Sequence, residues 1–418
     1  MPARESKGEG SSMTRKTSSA TTTRRLHDVL GAHVARGALP GLVWLVSQGD
    51  ELHVEAIGAL CRGGADPMRR DTIFRISSMT KLMAAAVAMM LIEDATISLD
   101  APIERWLPEL AGRRVLKRLD GPLDDTVPAK RAITVRDLFT LRMGIGIVWG
   151  PPDALPIQRA AEGLHLGAMG APKPQGPPPP DEWMSRFATL PLMEQPGECW
   201  RYNTSTDILG VLLARASGQP LELLLRERLF APLGMKDTGF SVPPGEVKRL
   251  ATSYFANPHT GALDLYDEPA GGEWSRPPAF PSAAGGLVST VDDCLAFARM
   301  MKAGGSLGKV RLLSETSVEA MTTDQIPAAQ KAASPSSLDP TFWDTHGWGL
   351  GVAIVTDREA DGPSGFGWDG GLGTSMWWDP HEDRIAILMT QRAEYPKTSR
   401  LYRDFWNAAN GGGPNRRP

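Results

Sequence analysis

The stretch "DTIFRISSMTKLMAAAVAMMLIED", residues 71–94, sets Ser77, Ser78 and Lys81 at the head of an apolar run predicted to be helical over 81–93. Ser78 and Lys81 have S-x-x-K spacing, and in a helix beginning near Ser78 the two share a face, since neighbours at i and i+3 are close. A lysine held there, partly dry and beside other polar groups, gives up its proton at modest cost and can then take the serine proton. A serine at a helix N-terminus also turns its own backbone N–H outward, one half of an oxyanion hole. The competing reading is plainer: a serine caps the helix and Lys81 is its first exposed charge. S-x-x-K alone favours the plainer reading, because short motifs recur by chance and need context.

Composition narrows the context. The chain has 418 residues, 41% hydrophobic and 22% charged, which fits a folded soluble protein with a large core. A formal charge of -3, from 45 basic and 48 acidic residues, offers no field for a polyanion, so no nucleic-acid partner is expected. Residues 1–24 are basic and Ser/Thr-rich with no apolar core; they read as a disordered tail rather than a secretory signal. No run is long enough to span a membrane, and a cytoplasmic setting is expected. Cys61, Cys199 and Cys294 form no CxxC, and the seven histidines no HExxH, so buried free thiols and no metal or other cofactor are expected. Oligomeric state leaves no signal here.

Strand-like and helical patterns alternate unevenly. An amphipathic helix at 25–37 precedes "LPGLVWLVSQGDELHVEAIGAL", two apolar segments about a Gly49-Asp50 turn that signal a β-hairpin. Near the other end, "HGWGLGVAIVT", "GTSMWWDP" and "DRIAILMTQ" read as strands, followed by a helix in "SRLYRDFWNAAN". Strands at both ends with helices outside them predict one antiparallel sheet built from distant segments, an α/β (α+β) region over 25–75 and 285–412. Residues 76–284 read as mostly helical, with helices at 134–142, 205–217 and 221–229; another spans 290–302, where Thr290 and Asp293 have capping-box spacing. Two Pro/Gly-rich stretches, 147–183 and 253–286, read as long loops, and Trp149, Trp183, Trp200 and Trp274 as walls or lids over a cleft.

Several segments together resemble one family. "FRISSMTK", "ISLDAPIERWLPEL", "ITVRDLFTLRMGIG", "PGECWRYNTSTDILGVLLARASGQPLELLLRERLFAPLGMKDTGF" and "FGWDGGLGTSMWWDPHEDRIAILMTQ" stand in unbroken order across roughly 25–410. They resemble the motifs of the serine β-lactamase, penicillin-binding protein and esterase superfamily, in its class C-like branch. The resemblance implies the β-lactamase/transpeptidase-like fold, with Ser78 as nucleophile, Lys81 as partner base and Tyr202 as the second-motif tyrosine that passes protons. It also implies that the Gly371 N–H, beside Gly370, is the second oxyanion donor.

Two departures shape the expected substrate. The second motif reads Tyr202-Asn203-Thr204, so a hydroxyl stands where an asparagine often does, with fewer groups to offer a substrate or Lys81. The third reads Trp368-Asp369-Gly370, replacing a basic residue with an apolar wall and one N–H. Gly370 and Gly371 are expected on an edge strand approached by substrate, Asp369 pointing away from the cleft, and Arg201 turned outward. Such W-x-G chains resemble the β-lactamase-like carboxylesterases, sometimes called family VIII. The resemblance therefore implies a serine hydrolase acting on a small-molecule ester, neutral or apolar. A β-lactamase or D-specific peptidase, a transacylase, and a non-enzymatic binding protein of the same fold are the alternatives.

Overall fold

A computed structural model describes residues 9–148, 154–167, 172–257, 259–334, 341–358, 360, 362–394 and 399–411. The first helix, α1, spans Glu9–Ala35, so the segment expected as a tail enters it well before position 25. Strands β1 (Gly41–Gln48) and β2 (Glu51–Gly58) follow as the expected hairpin, with Gln48 opposite Glu51 and Gly49 at a φ of 57° in the turn. Helix α2 (Thr80–Glu93) is buried from Thr80 to Leu91, as a helix apolar on every face from Leu82 to Ile92 must be. Helices α3 (Thr204–Ser217) and α4 (Val291–Lys302) come next. The chain then lays down β3 (His346–Trp348), β4 (Ala353–Val355), β5 (Phe366–Gly370), β6 (Thr374–Asp379) and β7 (Arg384–Thr390), and ends in α5 (Arg400–Ala409).

The seven strands form one antiparallel sheet in the order β3-β4-β5-β6-β7-β1-β2. Segments far apart in the chain meet inside it, where β1 pairs with β7 from Leu42↔Thr390 to Gln48↔Arg384. All of β7 and all but the last residue of β1 are buried, which is why their sequences read as unbroken apolar runs rather than alternating ones. Helix α4 covers β1, β6 and β7, while α1 packs on α5, joined by a 2.7 Å contact from His33 Nε2 to Asp404. A continuous apolar core runs from β1 through α2 and α3 to α4.

Some sequence expectations need correction. The 147–183 stretch contains helices at Pro156–Gly163 and Pro180–Ala188, each with proline near its start, where a missing N–H costs nothing. The 253–286 stretch contains a strand pair, Ser253–Ala256 and Leu263–Asp267. Trp183 and Trp274 are fully buried, their indoles bonded to the Leu166 and Gly286 carbonyls; they anchor these segments from inside rather than wall a cleft. Trp149 lies outside the described residues. The capping box at Thr290 is half formed: its hydroxyl accepts from the Asp293 N–H, but the Asp293 carboxylate turns to the Asp237 N–H and the Thr238 hydroxyl. Of the cysteines, all free, only Cys294 is buried; Cys61 and Cys199 are half-buried. No single helix among the described residues is long and apolar enough to cross a membrane.

Candidate active site

The turn before α2 places its two serines differently. Ser77 is buried with a φ of 45°, a left-handed conformation that costs a non-glycine residue energy and persists only when its surroundings enforce it. A 3₁₀ turn, Ser77–Met79, leads into the helix, and the Thr80 hydroxyl ties back to the Ser77 carbonyl at 2.6 Å. That turn leaves Ser78 half-buried and brings its Oγ within 3.1 Å of Lys81 Nζ. Lys81 is 1% exposed, so the solvent-facing reading of this charge fails. Burial pushes its ammonium down to about 7.

Three further groups surround Lys81. Its Nζ donates to Asn203 Oδ1 at 2.7 Å and to the Ala284 carbonyl at 2.5 Å, and lies 4.6 Å from the centre of the Tyr202 ring. Asn203 has φ 86° and ψ -67°, the rare tight γ-turn geometry. This twist decides which side chain of Tyr202-Asn203-Thr204 faces the lysine: Asn203 does, and Thr204 does not. Thr204 is buried on the far side, its hydroxyl without a partner, against an apolar cavity lined by Ile145, Ile157, Phe187 and Met193. The expected role for Thr204 toward substrate or Lys81 is therefore not supported by its position. An unsatisfied buried hydroxyl costs about 1–3 kcal/mol. Thr204→Val is accordingly expected to raise the thermal midpoint and leave ester turnover within about twofold; a melt paired with an ester assay checks both, and a sharp loss of turnover would return Thr204 to the site.

The Tyr202 hydroxyl bonds to Ser78, and burial holds its phenol well above the usual tyrosine range. It also accepts the Trp368 indole N–H at 2.7 Å. The one polar group of the third-motif tryptophan is thus spent on the tyrosine rather than pointed at open space. Trp200 at 5.7 Å and Trp368 at 5.7 Å flank the Tyr202 ring, and Trp348 and Phe342 pack edge-on against Trp368. Lys81 and Tyr202 therefore differ in readiness: near neutrality the lysine is poised to lose its proton and the phenol keeps one.

Trp368, Asp369 and Gly370 lie on β5, which is interior to the sheet and not an edge strand. Its neighbour β4 pairs only with Phe366 and Gly367, however, so Trp368–Gly370 run past the end of that strand and form a local edge. Gly370 packs directly on the turn that carries Ser78: a Cβ there would stand 2.3 Å from the Ile76 carbonyl oxygen, which no side chain allows. The Thr374 hydroxyl donates to that same carbonyl at 3.1 Å, and Gly371 follows at the strand's end. Asp369 faces the other side of the sheet, accepting from Ser375 and Tyr402 at 2.5 Å and from the Trp377 indole at 3.0 Å. Arg201 is engaged by Glu194, its Nε 3.1 Å from both carboxylate oxygens.

Asn203, Asp207 and Ala284 are the site residues that sequence reading missed. The available signal for Asp207 was a carboxylate three residues before Gly210 on a helix buried from Thr204 to Leu213. Among the described residues no cluster of His, Cys, Asp and Glu could hold a metal ion.

Comparison with known proteins follows the same lines. A family model described as Beta-lactamase matches residues 26–409. An uncharacterised protein of Mycobacterium tuberculosis is 40% identical over 369 residues, 85% of this chain and 86% of its own length. Esterase EstB of Burkholderia gladioli is 28% identical over 396 residues, 90% of this chain and 91% of that one. The solved structure of EstCE1, a hydrolase with promiscuous acyltransferase activity, superposes with a TM-score of 0.75 at 23% identity, covering 93% of this chain and 98% of its own, a likeness of fold. From the first buried turn of α1 to the end of α5, the chain belongs to the beta-lactamase family, as its motifs implied.

Proposed function

We propose that the protein is a serine carboxylesterase that cleaves neutral or apolar esters of small to medium size through an acyl-enzyme. The observation that carries this reading is Lys81, a buried lysine brought down to about 7, with its Nζ 3.1 Å from Ser78 Oγ. Ser78 Oγ attacks the ester carbonyl carbon while its proton passes to neutral Lys81. The N–H groups of Ser78 and Gly371 hold the oxyanion. As the bond to the alcohol oxygen breaks, the Tyr202 phenol protonates the leaving alkoxide and recovers a proton from the Lys81 ammonium. Water then attacks the acyl carbon, yields its proton to the same pair, and releases the acid and free Ser78.

The choice of neutral substrates rests on what the site withholds. An unpaired carboxylate in a partly dry cleft is costly. Arg201 is already paired with Glu194, and the Trp368 N–H with Tyr202, so neither is offered to one. A relative named an esterase supports ester cleavage. A second alcohol in place of water would make the same acyl-enzyme a transacylase. The free cysteines fit a cytoplasmic setting.

A panel of p-nitrophenyl esters with nitrocefin tests the proposal. We expect kcat/KM, which reports transition-state stabilisation relative to free enzyme and substrate, to favour a short neutral ester over nitrocefin by roughly a hundredfold or more. Equal or higher kcat/KM on nitrocefin would overturn it in favour of a β-lactamase.

A further inference from the structure

Asp207 is buried on α3, yet it touches none of the groups given chemical roles above. Its Oδ1 accepts from the Ser282 hydroxyl at 2.7 Å and from the Ala284 N–H at 3.1 Å. The opposite end of the Ala284 residue, its carbonyl, receives Lys81 Nζ at 2.5 Å. The 282–286 turn is closed by its own bonds, the Gly286 N–H to the Ser282 carbonyl at 2.9 Å and the Gly285 N–H to the Ser282 hydroxyl at 3.1 Å. It can lie this close to α3 because Gly210, one turn after Asp207 on the same face, has no side chain. A Cβ on Gly210 would stand 2.7 Å from that of Ala283. Leu287 completes the attachment, its N–H donating to the Thr80 hydroxyl at 3.2 Å, beside Lys81 itself.

Resting on the reading of Ser78 as nucleophile and Lys81 as base, we propose that Asp207 is a positioning residue for Lys81. It acts through the Ser282–Ala284 turn and through its charge. The carboxylate clamps the turn so that the Ala284 carbonyl, with Asn203 Oδ1, aims the Lys81 nitrogen at Ser78. Its negative charge opposes the desolvation that would otherwise strip the lysine of its proton too readily.

The groups facing Lys81 support this division. The turn leading into its helix contributes Ser78, and the 202–203 turn contributes the neutral phenol of Tyr202 and the amide of Asn203. The 282–286 turn contributes only a carbonyl, and β5 reaches the lysine only through Trp368 on Tyr202. Asp369 acts on Tyr202 from the far side of the sheet. Asp207 is the carboxylate that acts on Lys81, raising its proton affinity against burial, while burial raises Asp207 in turn.

The test separates clamp from charge. Asp207→Asn keeps an oxygen to accept from Ser282 and Ala284 but removes the charge. We expect the acid limb of its kcat/KM profile, which reports the free enzyme's base, to move about one pH unit below the wild-type position near 7. Asp207→Ala removes clamp and charge, and should lower the plateau of kcat/KM roughly 10²-fold, the scale of a misplaced catalytic group. Ser282→Ala is the milder variant should D207N fold poorly. Without that hydroxyl the carboxylate protonates more readily, its charge on Lys81 weakens, and the limb moves the same way by less. Fluorophosphonate labelling of Ser78 runs beside each profile. An unlabelled wild-type Ser78 would mean that the nucleophile reading has failed, and the proposal with it. Full labelling with an acid limb unmoved in both D207N and S282A would overturn Asp207 alone and leave the esterase reading standing.

Discussion

Ser78→Ala is expected to reduce ester turnover to the background rate, a loss on the order of 10⁶ in kcat, because a nucleophile and its base act as one unit. A fluorophosphonate adduct on the wild-type protein should map by peptide mass spectrometry to Ser78 and vanish in the variant. Ser77 is the control within the same turn: it is 2% exposed and held at a positive φ, whereas Ser78 Oγ is the one within reach of Lys81. An adduct on Ser77, or one undiminished in S78A, would defeat the assignment. The same unity predicts that Lys81→Ala added to S78A costs nothing more, since removing one member of such a set already removes the mechanism.

Tyr202→Phe is expected to cut kcat by roughly 10² to 10⁴ on an ester with a poor leaving group, the usual worth of a general acid. With an activated nitrophenyl ester the loss should be much smaller, because nitrophenolate departs with little need of a proton. The ratio between the two substrates is therefore the diagnostic quantity. The variant keeps the ring between Trp200 and Trp368, so circular dichroism should match wild type, and only the bonds to Ser78 and to the Trp368 indole are lost. Near-wild-type kcat on the poor leaving group would reduce Tyr202 to a packing aromatic.

That Ser78, Lys81 and Tyr202 lie together was legible in the sequence for a physical reason. The first two are joined by a single helical turn, whose geometry spacing alone dictates, and the third sits in a long segment resembling a known motif. Strand content was legible wherever both faces of a strand are covered, as in β1 and β7. What escaped depends on contacts between distant segments or on rare backbone angles. Nothing in "YNT" announces a φ of 86° at Asn203, yet that angle exchanges the roles of Asn203 and Thr204. Asp207 and Ala284 are far apart in sequence and meet only because α3 carries a glycine where the 282–286 turn crosses it. The edge-strand expectation for Gly370 failed in sheet order and held locally, because β4 stops short of Trp368.

The pairing of β1 with β7 also has a consequence for how the protein is made. A ribosome delivers β1 and its hairpin partner β2 first of these, then the turn and helix bearing Ser78 and Lys81, then Tyr202. The strand that fills the other side of β1 emerges only after all of them. Until then a nascent chain carries an apolar strand with one open flank, the kind of surface that draws other chains into aggregates. Strand β5, which brings Gly370 onto the Ser77–Met79 turn, also arrives long after it. The polypeptide thus holds Ser78 and Lys81 through a long stretch of synthesis with no completed pocket around them, and on the proposed function no ester is turned over until β5 to β7 dock.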